Sequence, residues 1–401
     1  MKFKTNPSII GQTYRCDLLR GGFDGIIDTG IQTFCLFIAI RYFQAGSGIK
    51  AIIAASPWVG MMSSLVLVHY AAKTGSRKSL CGAVPALFAA FCLFFAAWAN
   101  GLFVFTGLIF LSYMSQTALF PFLTSIYNDN YPMDKRGQLL ANSIRVTVAS
   151  SIVFSFIASW ILDLDLADWT LVFVILGLAG FAKAYTIYSM PSAPVEPGYS
   201  SPFTSFKYLI EDSSFGYILL TWFIMGFANL WIQPLRVDYL VSSEWGIEAS
   251  ATMVAIIINV LPSTMRLLFT PLWGRLFDSI NFIVLRMVLN TIFACGVGLF
   301  FVTKNLIFIG AGAALIGIAF AGGSIAWNLW ITKYAPPGKV TAYMSLHVFL
   351  TGIRGTFGPI IGFWTIAQIG PIKMGFISAG IMVMATIMLV PEIRRGRKLS
   401  C

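Results

Sequence analysis

The feature that most constrains this chain is a succession of apolar stretches, each long enough to cross a lipid bilayer. A helix spans the hydrocarbon core in about 20 mostly apolar residues. Twelve stretches reach that length: 20–43, 51–72, 80–99, 102–126, 139–162, 169–190, 215–236, 250–273, 282–303, 306–332, 341–366 and 371–391. In hydrocarbon every backbone polar group must find a partner within the protein, so only helices and closed barrels span. No comparable stretch alternates apolar and polar residues as a barrel strand does. The expected fold is therefore all-α, with twelve transmembrane helices. Composition agrees: charged residues make up 11% of the 401 and hydrophobic residues 57%. Soluble domains carry about 25% charged residues. A soluble multidomain enzyme, a disordered chain and a nucleic-acid binder are excluded on that ground.

The longest gap between stretches, 191–214, holds Pro191, Pro194, Pro197 and Pro202. It divides the chain into an N-terminal six-helix half (1–190), a cytoplasmic linker (191–214) and a C-terminal six-helix half (215–401). Cytoplasmic loops collect Lys and Arg. With both termini placed in the cytoplasm, 17 of the 27 Lys and Arg fall in inward-facing segments and five in outward-facing ones. The other five lie within spans: Arg145, Lys183, Arg266, Arg286 and Arg354. This asymmetry accounts for most of the net charge of +11 without an anionic partner. The start of the chain has no short apolar core with a small-residue cleavage site, so no removed signal peptide is expected. The six cysteines follow no metal or disulfide spacing and are read as free thiols.

The halves repeat one another. Span one contains Gly25-Ile-Ile-Asp28-Thr-Gly-Ile-Gln32, and span seven contains Gly226-Phe-Ala-Asn229-Leu-Trp-Ile-Gln233. Pro57 of span two matches Pro262 of span eight, and Tyr131-Pro132 after span four matches Tyr334 and Pro336 after span ten. Ordered matches at a nearly constant offset indicate two parallel repeats.

After span eight the chain reads Gly274-Arg-Leu276-Phe-Asp278. This resembles the G-x-L-x-D signature of the major facilitator superfamily, and span eleven adds Gly358-Pro359-x-x-Gly362, which resembles a helix-bending motif of the same superfamily. The resemblance implies two six-helix bundles and a cytoplasmic gate built on Gly274 and Asp278. At the matching place after span two only the tail Gly75-Ser-Arg77-Lys78 survives, and Ala72 stands where the acid belongs. Arg77 and Arg145 complete the gating candidates.

Ionisable groups inside a membrane are costly and mark function by default. Asp24 and Asp28 are four residues apart on one helix face. Each reads as a coupling or cation-binding carboxylate, or as an ion-pair partner of Arg145. Arg266 and Arg354 fall near the middle of their spans, where guanidiniums facing water would hold a carboxylate or phosphate by paired hydrogen bonds. The alternative is that each pairs with an Asp or a backbone carbonyl. His347 shares the Arg354 face and reads as a proton relay or a polar helix contact. Gln32, Asn229, Gln233, Trp327 and Asn328 suit a polar organic solute, or else serve as interfacial and interhelical contacts.

No phosphate-cradling loop and no metal cluster occurs in the sequence, and the two histidines, His69 and His347, are 278 residues apart. No cofactor, catalytic group or metal is expected. The expected function is secondary transport of a small organic solute, anionic or zwitterionic, by alternating access, with proton coupling through Asp24, Asp28 or His347. The rival reading is a non-transporting receptor or membrane enzyme on the same scaffold. The chain is expected to be a monomer in the cell (inner or plasma) membrane, with a small-molecule substrate and no nucleic-acid partner.

Overall fold

The computed structural model describes residues 7–132, 135–195, 206–334 and 340–396. Among them, twelve long helical stretches run in order: α1 Pro7–Arg41, α2 Ser47–Thr74, α3 Lys78–Ala96, α4 Leu102–Asn130, α5 Arg136–Leu164, α6 Trp169–Tyr188, α7 Ser213–Val241, α8 Ala251–Phe277, α9 Phe282–Phe301, α10 Leu306–Tyr334, α11 Val340–Ile369 and α12 Pro371–Met388. Ten helices satisfy both the length and the apolarity needed to cross a bilayer. Large apolar side chains stand on outer faces, such as Phe103, 82% exposed, and Ile307, 80% exposed. Such surface suits lipid rather than water.

Helix α1 is described from Pro7, well before the apolar stretch that begins at residue 20. The extra turns carry polar groups that an apolar-length criterion passes over. Thr13 and Asp17 are fully buried there, and both are hydrogen-bonded to other helices. Within α2, Pro57 removes the donor that would serve the Ile53 carbonyl, and the Ser56 hydroxyl donates to it instead at 2.6 Å. Two helices contain a π turn, Gly30–Phe34 in α1 and Ile256–Val260 in α8.

The chain forms two units: residues 1–199 with 250–255, and residues 200–249 with 256–401. Their internal packing is the same in pattern. In the first, α1 packs on α5 and α6, α2 on α4, and α3 on α4 and α6; in the second, α7 packs on α11 and α12, α8 on α10, and α9 on α10 and α12. The repeated prolines keep equivalent partners. The Pro57 carbonyl accepts from Thr117 of α4 at 2.7 Å, and the backbone of Pro262 lies against Gly317 of α10. In α11, Gly358 and Gly362 lie against the backbone of Leu230 and Trp231 in α7, which a side chain at Gly362 would block.

Candidate functional site

In the first unit Asp17, Arg20 and Asp24 of α1 are absorbed into one network. Asp17 is fully buried and accepts hydrogen bonds from the Tyr127 hydroxyl (2.6 Å), the Tyr131 hydroxyl (3.3 Å) and the Arg20 guanidinium (2.8 Å). Arg20 also pairs with Asp24. Lys183 of α6 reaches Asp24 at 2.7 Å and donates to Gln116 of α4. Two carboxylates thus meet two cations, and the set is neutral. Buried charges persist only when paired and hydrogen-bonded in this way. Arg145 is not part of the network: it is exposed and donates to Asn142 on its own helix at 3.0 Å. The ion pair of Asp24 is therefore with Arg20 and Lys183, because Arg145 is exposed and bonded along its own helix. Asp28 and Gln32, one turn apart across the start of the π turn, are exposed, and Asp28 lies within electrostatic reach of Tyr113.

The second unit is arranged in the opposite way. Asn229 of α7, Arg266 of α8, Arg286 and Asn290 of α9, Trp327 of α10 and Arg354 of α11 line one cavity of about 280 Å³. Trp222, Phe293 and Phe320 supply apolar walls, and none of the described lining residues is acidic. Arg354 is 5% exposed and donates to the Trp222 carbonyl and, at 3.0 Å, to the Thr351 hydroxyl. Its Nε has no partner among the described residues. Arg286 is 8% exposed, and its guanidinium carbon sits 3.9 Å from the centroid of the Trp222 ring. That indole stacks on Trp330, which stacks on Phe215, at centroid separations of 5.2 and 5.7 Å. A guanidinium over an indole face is attracted by the ring quadrupole, but the ring carries no counter-charge.

His347 is buried against Trp222, Trp327 and Trp330, with ring centroids 5.2 to 5.4 Å away, and neither of its nitrogens has a hydrogen-bond partner among the described residues. Gln233 lies beyond the cavity, where its carbonyl accepts from Arg236 at 3.2 Å. The structure therefore brings Asn229, Arg266, Trp327 and Arg354 together. It adds Arg286, Asn290 and Trp222, which the sequence reading left out. Arg286, Asn290 and Phe293 are spaced by four and three residues, which puts them on one face of α9. That spacing was the available signal.

Of the gating candidates, Arg77 is exposed and lies over the Tyr188 ring at 5.7 Å. Its neighbours are tied down: the Lys78 amine meets Asp129 at 2.6 Å, and the Lys78 N–H donates to the Ala193 carbonyl at 3.0 Å. Gly274 faces open space, with Ile325 about 4.0 Å from where a Cβ would stand. The side chains of Asp278 and Asn328 lie outside the described residues.

Residues 25–359 match the sequence profile of the Major Facilitator Superfamily, and the chain belongs to that family of integral, multi-pass membrane proteins. Solved structures share the fold. The nucleoside transporter NupG is 13% identical over 96% of this chain and 98% of its own, with a TM-score of 0.72. A D-xylose-proton symporter is 15% identical over 96% and 97%, at 0.70. A POT family transporter in complex with 5-aminolevulinic acid is 13% identical over 98% of both chains, also at 0.70. No curated protein matches the chain in sequence.

Proposed function

We propose that the chain is a secondary transporter of a small organic anion, working by alternating access with proton coupling through Asp28. The observation that carries this reading is the cavity lined by Arg266, Arg286 and Arg354, with no acidic residue among its described lining residues. Arg286 and Arg354 meet no carboxylate among the described residues, and an uncompensated charge within the bilayer costs at least about 2.5–3.5 kcal/mol. An anionic solute offsets that cost when it binds, whereas a neutral sugar does not. The aromatic walls take the apolar part of the solute, and Asn229 and Asn290 orient its polar edge. Asp24 serves the neutral network of the first unit, while exposed Asp28 is placed to exchange protons. Both termini face the cytoplasm, and the plasma (inner) membrane is the site of action.

The test is uptake of labelled organic anions into proteoliposomes under an imposed pH gradient. Arg354→Ala and Arg266→Ala are expected to abolish uptake. Asp28→Asn is expected to keep binding and lose the pH dependence. Uptake of neutral solutes alone, untouched by either arginine substitution, would sink the anion reading.

A further inference from the structure

We infer that the transported solute is a dianion, a compact dicarboxylate whose two charges sit at two separate points. The inference rests on the organic-anion reading above and narrows it. Arg286 and Arg354 are more than nine-tenths buried, and no carboxylate pairs with either among the described residues. A monoanion neutralises one guanidinium and leaves its neighbour charged in the same small cavity. A dianion neutralises both.

The placement of the two groups decides between kinds of dianion. Both are anchored on Trp222, at different ends of that residue: Arg286 on the indole face and Arg354 on the backbone carbonyl. Positive charge is thus spread over two points. Two carboxylates on a short linker match that spread, whereas a phosphate group concentrates its charge on one centre. Arg354 retains an unused Nε–H, and Nε with a neighbouring Nη forms the planar fork that takes a carboxylate edge. The linker has a place too, since Phe293 and Phe320 line the same cavity. At about 280 Å³ the space is at the small end of small-molecule sites, which excludes a bulky conjugate. The buried Asn290 Oδ1 has no partner among the described residues and would accept from a hydroxyl or amino group on the linker.

The experiment is calorimetric titration of the purified full-length protein with malonate, succinate and glutarate, each against its monomethyl ester, and with inorganic phosphate. At least one dicarboxylate is expected to bind about tenfold or more tightly than its own monoester, because a charge-assisted contact is lost with the second carboxylate. In Arg286→Gln that preference is expected to vanish while monoester binding persists. If this variant does not fold, the acid–ester comparison on the unsubstituted protein decides alone. Equal affinity for acid and ester would overturn the dianion and leave the organic-anion reading standing. Tighter binding of inorganic phosphate than of every dicarboxylate would overturn the two-point placement. Binding of none of these anions would overturn both readings.

Discussion

Gly226→Ala tests the cavity without deleting any of its charges. A Cβ at Gly226 would fall on the Nη1, Cζ and Nε atoms of Arg354. Real Cβ atoms do not approach other heavy atoms so closely, so the guanidinium must move. It is the far end of a flexible side chain, so it can swing aside without moving any backbone. The displaced group loses its bonds to the Trp222 carbonyl and the Thr351 hydroxyl. Hydrogen bonds to a charged group contribute about 1.5–3 kcal/mol each, and Ala gains roughly 1 kcal/mol over Gly in a helix interior. With both bonds lost and not remade, stability falls by about 2–5 kcal/mol. Binding suffers as well. Loss of a bidentate guanidinium contact at about 2–3 kcal/mol weakens affinity about 30- to 150-fold. Calorimetric titration of the variant with the best-binding dicarboxylate measures this, beside a thermal unfolding curve. Gly25, its counterpart in the first repeat, is the control. A Cβ there would strike the backbone of Thr147 and Ser151 in α5, which cannot swing away. Gly25→Ala is therefore expected to lower the unfolding temperature sharply. Full affinity in Gly226→Ala would refute the placement of Arg354.

Asp24→Asn leaves Arg20 and Lys183 with one carboxylate fewer. Breaking a buried pair costs about 3–5 kcal/mol, read as a lower melting temperature in detergent, and adding Lys183→Met is expected to restore most of it. Unchanged stability with a lost pH dependence of uptake would make Asp24 a coupling residue instead. The Asp163 carboxylate accepts the N–H groups of Ala251 and Thr252 at 2.7 and 2.9 Å, as a helix cap does. Asp163→Ala is expected to speed hydrogen exchange of those two amides about five- to thirtyfold; unchanged exchange would show that the cap does not hold that turn.

The helical architecture was legible because hydrocarbon imposes a length that any apolar run reveals. The repeat was legible because Pro57 and Pro262, and Asp28 and Asn229, hold matching places in the chain. Partners were harder to read. Asp24 was matched with Arg145, yet Lys183 holds it, since depth along the chain says nothing about which face of a helix turns inward. Arg286 was passed over because it lies near the start of its span, where a long basic side chain commonly reaches back to the interface. Its inward turn depends on the indole of Trp222, on a different helix. The first turns of α1 were missed because their buried polar groups make them look like loop.

The π turn at Ile256–Val260 has a mechanical consequence for Arg266, six residues beyond its end on the same helix. A π turn accommodates one residue more than an α turn. Tightening it to α geometry would swing everything downstream by about 100° and shift it about 1.5 Å along the axis. Arg266 would then leave the cavity wall as though on a screw thread, with no helix unfolded. Deleting Ile258 removes the extra residue, so it is expected to leave an α turn with position 266 at its present bearing and with no slack left to turn. A spin-label distance from 266 to α11 that changes on ligand addition in the wild-type chain is then expected to stay fixed in the deletion; a change that persists there would show that the π turn is not the thread.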